Sequence, residues 1–305
     1  MKLAVQAWLD ASRPKTLPLA CLAILTGSAL ALAQGAFIWS VLILSLLTAC
    51  LLQILSNLAN DYGDGLRGVD DQQRIGPVRA LQSGALSATQ LRQALVLVAA
   101  GSVASGLLLL SAAKVNASHL LLFVVLGVLA IGAAITYTVG RKPYGYAGLG
   151  DLSVWLFFGC LGVLGSCFLH GVQLSPQLLL PASASGLLAV GVLNINNMRD
   201  IDNDQRHGKR TLAVRLGLSR ARYYHYVLLG AAWLLFAAYL YLQADSNWFG
   251  LLFVLALLPL WQLAASVRKA ANPLQMAPLL PRMVVCAVVV SLLFAAPLLA
   301  SSLLN

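Results

Sequence analysis

Long apolar runs separated by short polar segments take up most of this 305-residue chain, at 16–34, 37–59, 92–113, 118–138, 151–170, 176–198, 223–243, 247–266 and 283–303. Each approaches or exceeds the roughly 20 residues that a helix needs to cross the hydrocarbon of a bilayer. A closed barrel is the other way to satisfy backbone polar groups in lipid. Its strands would alternate apolar with polar positions, and these runs are too continuous for that. The pattern therefore predicts an all-α, polytopic membrane protein: nine transmembrane helices bundled around a central cavity, in a single membrane-embedded domain over 1–305.

The polar segments give an orientation. Lys and Arg close to membrane ends are retained on the cytoplasmic side. With a cytoplasmic N-terminus, nineteen of the twenty basic residues fall on inner loops and only Lys114 falls outside. The expected topology is N-terminus inside and C-terminus outside, in a bacterial cytoplasmic or inner membrane. Composition agrees, with 60% hydrophobic residues, 10% charged and a mean hydropathy of +0.83. The net charge of +10 is spread over every inner loop. That fits topology and anionic lipid headgroups rather than the single basic stripe of a nucleic-acid binder, so no nucleic-acid partner is expected. The opening "MKLAVQAWLDAS" is too short and too polar for the core of a cleavable signal peptide. Cys21, Cys50, Cys160, Cys167 and Cys286 show no metal-ligand spacing and read as small core residues.

The acids change the picture most. All ten acidic residues are Asp, and seven of them lie in two clusters: Asp61, Asp64, Asp70 and Asp71, then Asp200, Asp202 and Asp204. Carboxylates at a membrane are costly, and like charges spaced i,i+4 destabilise a helix. A cation should offset both. On a helix Asn57, either Asn60 or Asp61, and Asp64 share one side, and Asp200 shares a side with Asp204. Magnesium prefers hard oxygen ligands and is held by one or two carboxylates plus substrate phosphates. Asp64 and Asp200 are the leading metal ligands and Asp204 joins them, while Asn57, Asn60, Asn197, Arg74, Arg79, Arg206 and Lys209 are candidates for holding a phosphorylated substrate. The two segments, 57–84 and 194–217, run in the same order: asparagines, aspartates, an Arg-x-Gly (Arg74 to Gly76, Arg206 to Gly208), then basic residues. A half-repeat around one cavity is the natural reading. Surface ion pairing with the loop arginines is the bland alternative, and it accounts for Asp70, Asp71 and Asp202 equally well.

A third segment on the same face, "YTVGRKPYGYAGLGD", brings Tyr137, Arg141, Lys142, Tyr144 and Asp151. Arg141 and Lys142 are candidates for a diphosphate, and Tyr137 and Asp151 for the reacting carbons or an acceptor. Arg13, ahead of the first span, is similarly placed. An ion-coupled transporter is a rival from another class, but its acids belong near the midplane rather than at one face. A phosphatidyl-alcohol transferase would carry its acids in one continuous motif.

At "NLANDYGD" and "DIDND" the sequence resembles the UbiA-type intramembrane prenyltransferase superfamily, with its Asn-Asp-rich first motif and Asp-x-x-x-Asp second motif on a nine-helix bundle. "SRPKTLPLA", "TYTVGRKPYGYAGLGD" and "LNINNMRDIDNDQRHGKRTL" extend the likeness to the menaquinone-pathway branch. The resemblance implies Mg²⁺-dependent transfer of a polyprenyl group from polyprenyl diphosphate to 1,4-dihydroxy-2-naphthoate, with loss of CO₂, to give demethylmenaquinone. A sister activity on 4-hydroxybenzoate is the nearest alternative. It also implies metal ligation by Asp61, Asp64, Asp70, Asp200 and Asp204. The sequence departs from the superfamily at Gly68, four after Asp64, and Asp70 is the favoured replacement for the acid missing there.

Overall fold

A computed structural model describes residues 2–69, 75, 76, 78–243 and 248–304. Its α-helices are α1 (Lys2–Ser12), α2 (Leu17–Ala33), α3 (Trp39–Leu66), α4 (Ala88–Ala112), α5 (Ala117–Thr136), α6 (Gly150–Val154), α7 (Gly165–Leu169), α8 (Leu179–Arg199), α9 (Ile201–Arg206), α10 (Leu212–Leu242), α11 (Leu257–Lys269) and α12 (Leu279–Leu304). A π-helical stretch, Trp155–Leu164, joins α6 to α7, and a 3-10 stretch, Trp248–Ala256, leads into α11. Among the described residues nine segments are long and apolar enough to cross a membrane, as the sequence predicts.

Local signals set the helix ends. Ser87 and Gln90 form a reciprocal capping box at the start of α4, and Asn116 accepts from the His119 amide at 2.9 Å to start α5. Pro14 breaks the run between α1 and α2, because the residue before a proline is pushed out of the helical region. That residue, Arg13, takes a left-handed φ of 50°.

Three boundaries differ from the sequence expectation. α1 was not expected, yet its 11 residues are helical and bury Ala7 and Ala11 against Leu55 and Leu58 of α3. α3 runs to Leu66 instead of stopping near 59. Its acids are therefore helical, with the cations described below neutralising them. α10 begins at Leu212 rather than near 223, with a break at Gly217, where φ is 74°.

α8 is the central column, 72% buried over its span, whereas α5 is 6% buried and stands at the periphery. Small residues allow the close approach. A Cβ on Gly159 of the π stretch would meet the Ala182 carbonyl oxygen of α8 at 2.6 Å, so that pair of backbones packs with nothing between. Between α2, α3, α5, the π stretch and α8 lies one large cavity of about 480 Å³.

Candidate active site

The cavity is polar at one end and apolar along its length. Asp64 marks the polar end and Ser45, five turns back on the same helix, lies towards the other. At 1.5 Å per residue those two are about 28 Å apart, close to the thickness of the hydrocarbon layer. Leu109, Leu110, Phe123 and Leu169 line the deep part.

The two acid motifs are built alike. α3 ends with the Val69 amide donating to the Asp64 carbonyl at 3.1 Å and the Gly68 amide to the Gly65 carbonyl at 3.2 Å. α9 ends with the Lys209 amide on the Asp204 carbonyl at 2.8 Å and the Gly208 amide on the Gln205 carbonyl at 3.2 Å. Both are Schellman caps, with a left-handed glycine (φ 69° at Gly68, 70° at Gly208) that a side chain would strain. The register displaces Asp64 onto Asp204, 140 positions on, and it holds along the wall. Ala49, Leu52, Ser56, Asn57, Asn60 and Val69 line the cavity from one half; Ala189, Val192, Asn196, Asn197, Asp200 and Lys209 line it at the matching positions of the other. The structural match thus pairs Gly68 with Gly208, not the Arg-x-Gly triplets that the order of residues suggests. Arg74 lies outside the described residues, as does Asp70.

Charge at the polar end is arranged in three groups. The Lys209 ammonium sits 3.6 Å from Asp64 Oδ2 and 3.8 Å from Asp204 Oδ1, joining the two motifs. Burial acts to lower the ammonium's pKa, but the Asp64 and Asp204 carboxylates outweigh it and hold the pKa above the ordinary value. The Tyr146 hydroxyl donates to Asp64 Oδ1 at 2.7 Å, and burial together with that carboxylate raises the phenol's pKa, so it remains a neutral donor. In the second group Asp61, 1% exposed, receives Arg13 and, at 3.3 Å, Arg79. The third is Asp200, gripped on both oxygens by Arg199 at 2.7 and 2.6 Å. Arg199 also donates to Asn196 Oδ1 at 2.8 Å.

Several sequence candidates therefore gather at one place. Asn57, Asn60, Asp64, Arg13, Arg79, Tyr137, Asn197, Asp200, Asp204 and Lys209 all line the cavity. Asn57 also ties α3 to the α1–α2 junction, donating to the Ser12 carbonyl at 2.9 Å. Burial lifts the pKa of Tyr137 to about 12, leaving a neutral ring at the cavity wall.

Other candidates go elsewhere. Asp61, expected as a metal ligand, is not among the residues lining the cavity and is bound by two guanidinium groups that are. Asp151, expected beside the reacting carbons, is outside the lining and receives the Tyr224 hydroxyl at 3.3 Å. Arg141 and Lys142 are exposed on the turn after α5, where Gly140 (φ 113°) redirects the chain, and they do not line the cavity. Arg206 is exposed and donates to Asn203 Oδ1 at 3.2 Å. Residue-type reasoning missed Tyr146, Arg199 and Asn203. The last donates to the Val69 carbonyl at 2.9 Å, fastening one motif to the other. The only local clue to Tyr146 is its place in the Gly- and Pro-rich turn already singled out.

The donor set suits a hard divalent cation. Among the described residues no three His, Cys, Asp or Glu side chains form a metal cluster by themselves. Magnesium does not need one, since one or two carboxylates with substrate phosphates and water suffice. Asp64 and Asp204 already share a cationic group, and Asn60 and Asn197 line the same end of the cavity.

Residues 20–277 match the model of the UbiA prenyltransferase family. The chain belongs to that family. It is 50% identical over 289 residues to the 1,4-dihydroxy-2-naphthoate octaprenyltransferase of Escherichia coli (strain K12), covering 95% of this chain and 94% of that one. It is 49% identical to the enzyme of the same description from Haemophilus influenzae, over 97% of this chain and 96% of the relative. Among solved structures, a UbiA homolog from Archaeoglobus fulgidus bound to GPP and Mg²⁺ superposes with a TM-score of 0.67 at 18% identity, over 97% of this chain and 99% of that one. For this UbiA-family chain the structural likeness shows a shared fold, and the sequence relatives carry the closer kinship.

Proposed function

We propose that this chain is a membrane prenyltransferase that moves a polyprenyl group from its diphosphate to 1,4-dihydroxy-2-naphthoate. The prenyl C1–O bond breaks and diphosphate leaves. The new C–C bond forms at the ring carbon bearing the carboxylate, which departs as CO₂, giving the prenylated quinol; a separate two-electron oxidation, by dissolved oxygen in vitro, yields demethylmenaquinone. The observation that carries this reading is a cavity running about 28 Å from Asp64 to Ser45, with acids and bases gathered at one end and an apolar bore behind them. A prenyl diphosphate has the same division. Relatives of that described activity, at about half identity over nearly the whole chain, supply the acceptor.

Asp64, Asp200 and Asp204 are the residues that would hold magnesium, with Asn60 and Asn197 beside them. When bound, magnesium would supply positive charge to the leaving diphosphate. The chain's own bases act on the same charge: Arg13 and Arg79, fixed by Asp61, and Lys209 all face the polar end. Cations aimed at developing charge in a water-poor site accelerate ionisation without reorganising during the step. Tyr137, as a neutral ring at the wall, is suited to stabilise an allylic cation by its π face. Among the described residues Ser28 meets His170 Nε2 at 2.9 Å, but neither lines the cavity, so direct transfer between the two bound substrates is the reading.

The matching caps and the 140-position register support descent of the two halves from one module, within a single domain. The distribution of basic residues supports a cytoplasmic N-terminus and active site, in a bacterial cytoplasmic or inner membrane. The test is incubation of purified protein with a polyprenyl diphosphate, Mg²⁺ and either 1,4-dihydroxy-2-naphthoate or 4-hydroxybenzoate. Release of CO₂ with a prenylated naphthoquinone only from the first is expected, and prenylation of 4-hydroxybenzoate alone would overturn the assignment.

A further inference from the structure

The two halves share a cap, a glycine and a wall of matched positions, yet they differ at the residue after the glycine. The first half has Val69 there and the second has Lys209. The Schellman turn sends that residue back over its own motif, and both line the cavity. Only the second half thus carries an ammonium into the acid-lined end. There it lies nearly midway between Asp64 and Asp204, at 3.6 and 3.8 Å. Both distances are ion contacts longer than a hydrogen bond. The ammonium is also 5.3 Å from the centre of the Tyr146 ring, which gives it a second favourable neighbour.

Resting on the reading above of a cation-and-diphosphate site, we propose that Lys209 is an internal counter-ion for the two acid motifs: it occupies the place of a divalent cation until one arrives, then moves to the diphosphate. Two carboxylates from separate helices, facing one another in a poorly solvated cleft, repel unless a positive charge lies between them. A lysine suits temporary duty, because it is a point charge on a flexible stem without the fixed fork that would lock an arginine to the carboxylates. Once a divalent cation binds Asp64 and Asp204, the ammonium is repelled from it. The incoming diphosphate then offers the nearest new negative charge. The chain's own cation and the metal therefore compete when no substrate is present and cooperate when diphosphate is bound.

This predicts effects of opposite sign from one substitution. Mn²⁺ binding to detergent-solubilised protein, followed by loss of the free-ion EPR signal, is measured with and without inorganic diphosphate for wild type, Lys209→Met and Lys209→Gln. Removing the ammonium should tighten binding of Mn²⁺ alone by about tenfold and weaken diphosphate binding in the presence of Mn²⁺ by about tenfold. The Gln variant keeps the measurement possible if Met disturbs folding. A lysine that serves only the diphosphate would leave the affinity for Mn²⁺ alone unchanged, and a merely structural one would weaken both. Either result overturns the proposal. If wild-type protein bound neither Mn²⁺ nor diphosphate, the underlying reading of the site would fall, and the counter-ion role with it.

Discussion

Substituting Asp61 by Asn tests whether this carboxylate ligates metal, as its place in the acid motif suggests, or holds arginines, as the geometry indicates. The Asp61 side chain is 1% exposed, and its partners Arg13 and Arg79 are 19% and 16% exposed, so solvent screens the contacts little. At 3.3 Å from Arg79, with an effective dielectric of about 20, the gross Coulomb attraction is about 5 kcal/mol, and much of it offsets the desolvation of the charges. Removing one partner of such a pair typically costs about 3–5 kcal/mol, because the remaining charges are left buried. An isosteric amide that still accepts hydrogen bonds belongs at the low end, about 3 kcal/mol, or roughly a hundredfold in the folded population. Arg13, held in a left-handed backbone conformation, also loses the contact that secures its side chain. Asp61→Asn should therefore lower the thermal unfolding midpoint in detergent and weaken binding of a prenyl diphosphate by about tenfold. Its affinity for Mn²⁺ alone should stay within about twofold of wild type. A variant that melted like wild type but needed about a hundredfold more cation would refute this reasoning and return Asp61 to the metal ligands.

Asp64→Ala and Asp200→Ala should each lower turnover by about a hundredfold or more in protein that remains folded, and near-normal rates at saturating Mg²⁺ would remove either from the ligand set. Gly208→Ala should cost about 1 kcal/mol, from a side chain at φ 70°, with Gly68→Ala similar at φ 69°; chemical unfolding compares them, and two neutral changes would argue against the shared cap. A reporter fused after residue 116 should read as external and one within 205–210 as cytoplasmic, and agreement between the two compartments would overturn the topology.

The sequence by itself determined the solvent. Every apolar run that the composition marks out has a helical span in the structure, because in lipid a long, continuously apolar segment can satisfy its backbone within itself only as a helix. It also determined which segments carry chemistry, since acids are so rare in this chain that their clustering is informative. What it left open was direction. Asn60 and Asp61 are neighbours about 100° apart on α3, and the sequence pattern accepts either as the cavity residue. The structure lines the cavity with Asn60 and leaves Asp61 off the lining, bound to Arg13 from the α1–α2 junction and to Arg79 from the segment before α4. Arg141 and Lys142 have the right charge in a well-placed turn, yet the chain directs them outward, and residue type says nothing about that. Lys209 and Tyr146 meet Asp64 from segments far along the chain. Such pairings depend on how the two halves close around the cavity, a property of the assembled bundle that no local pattern of apolar and polar residues contains.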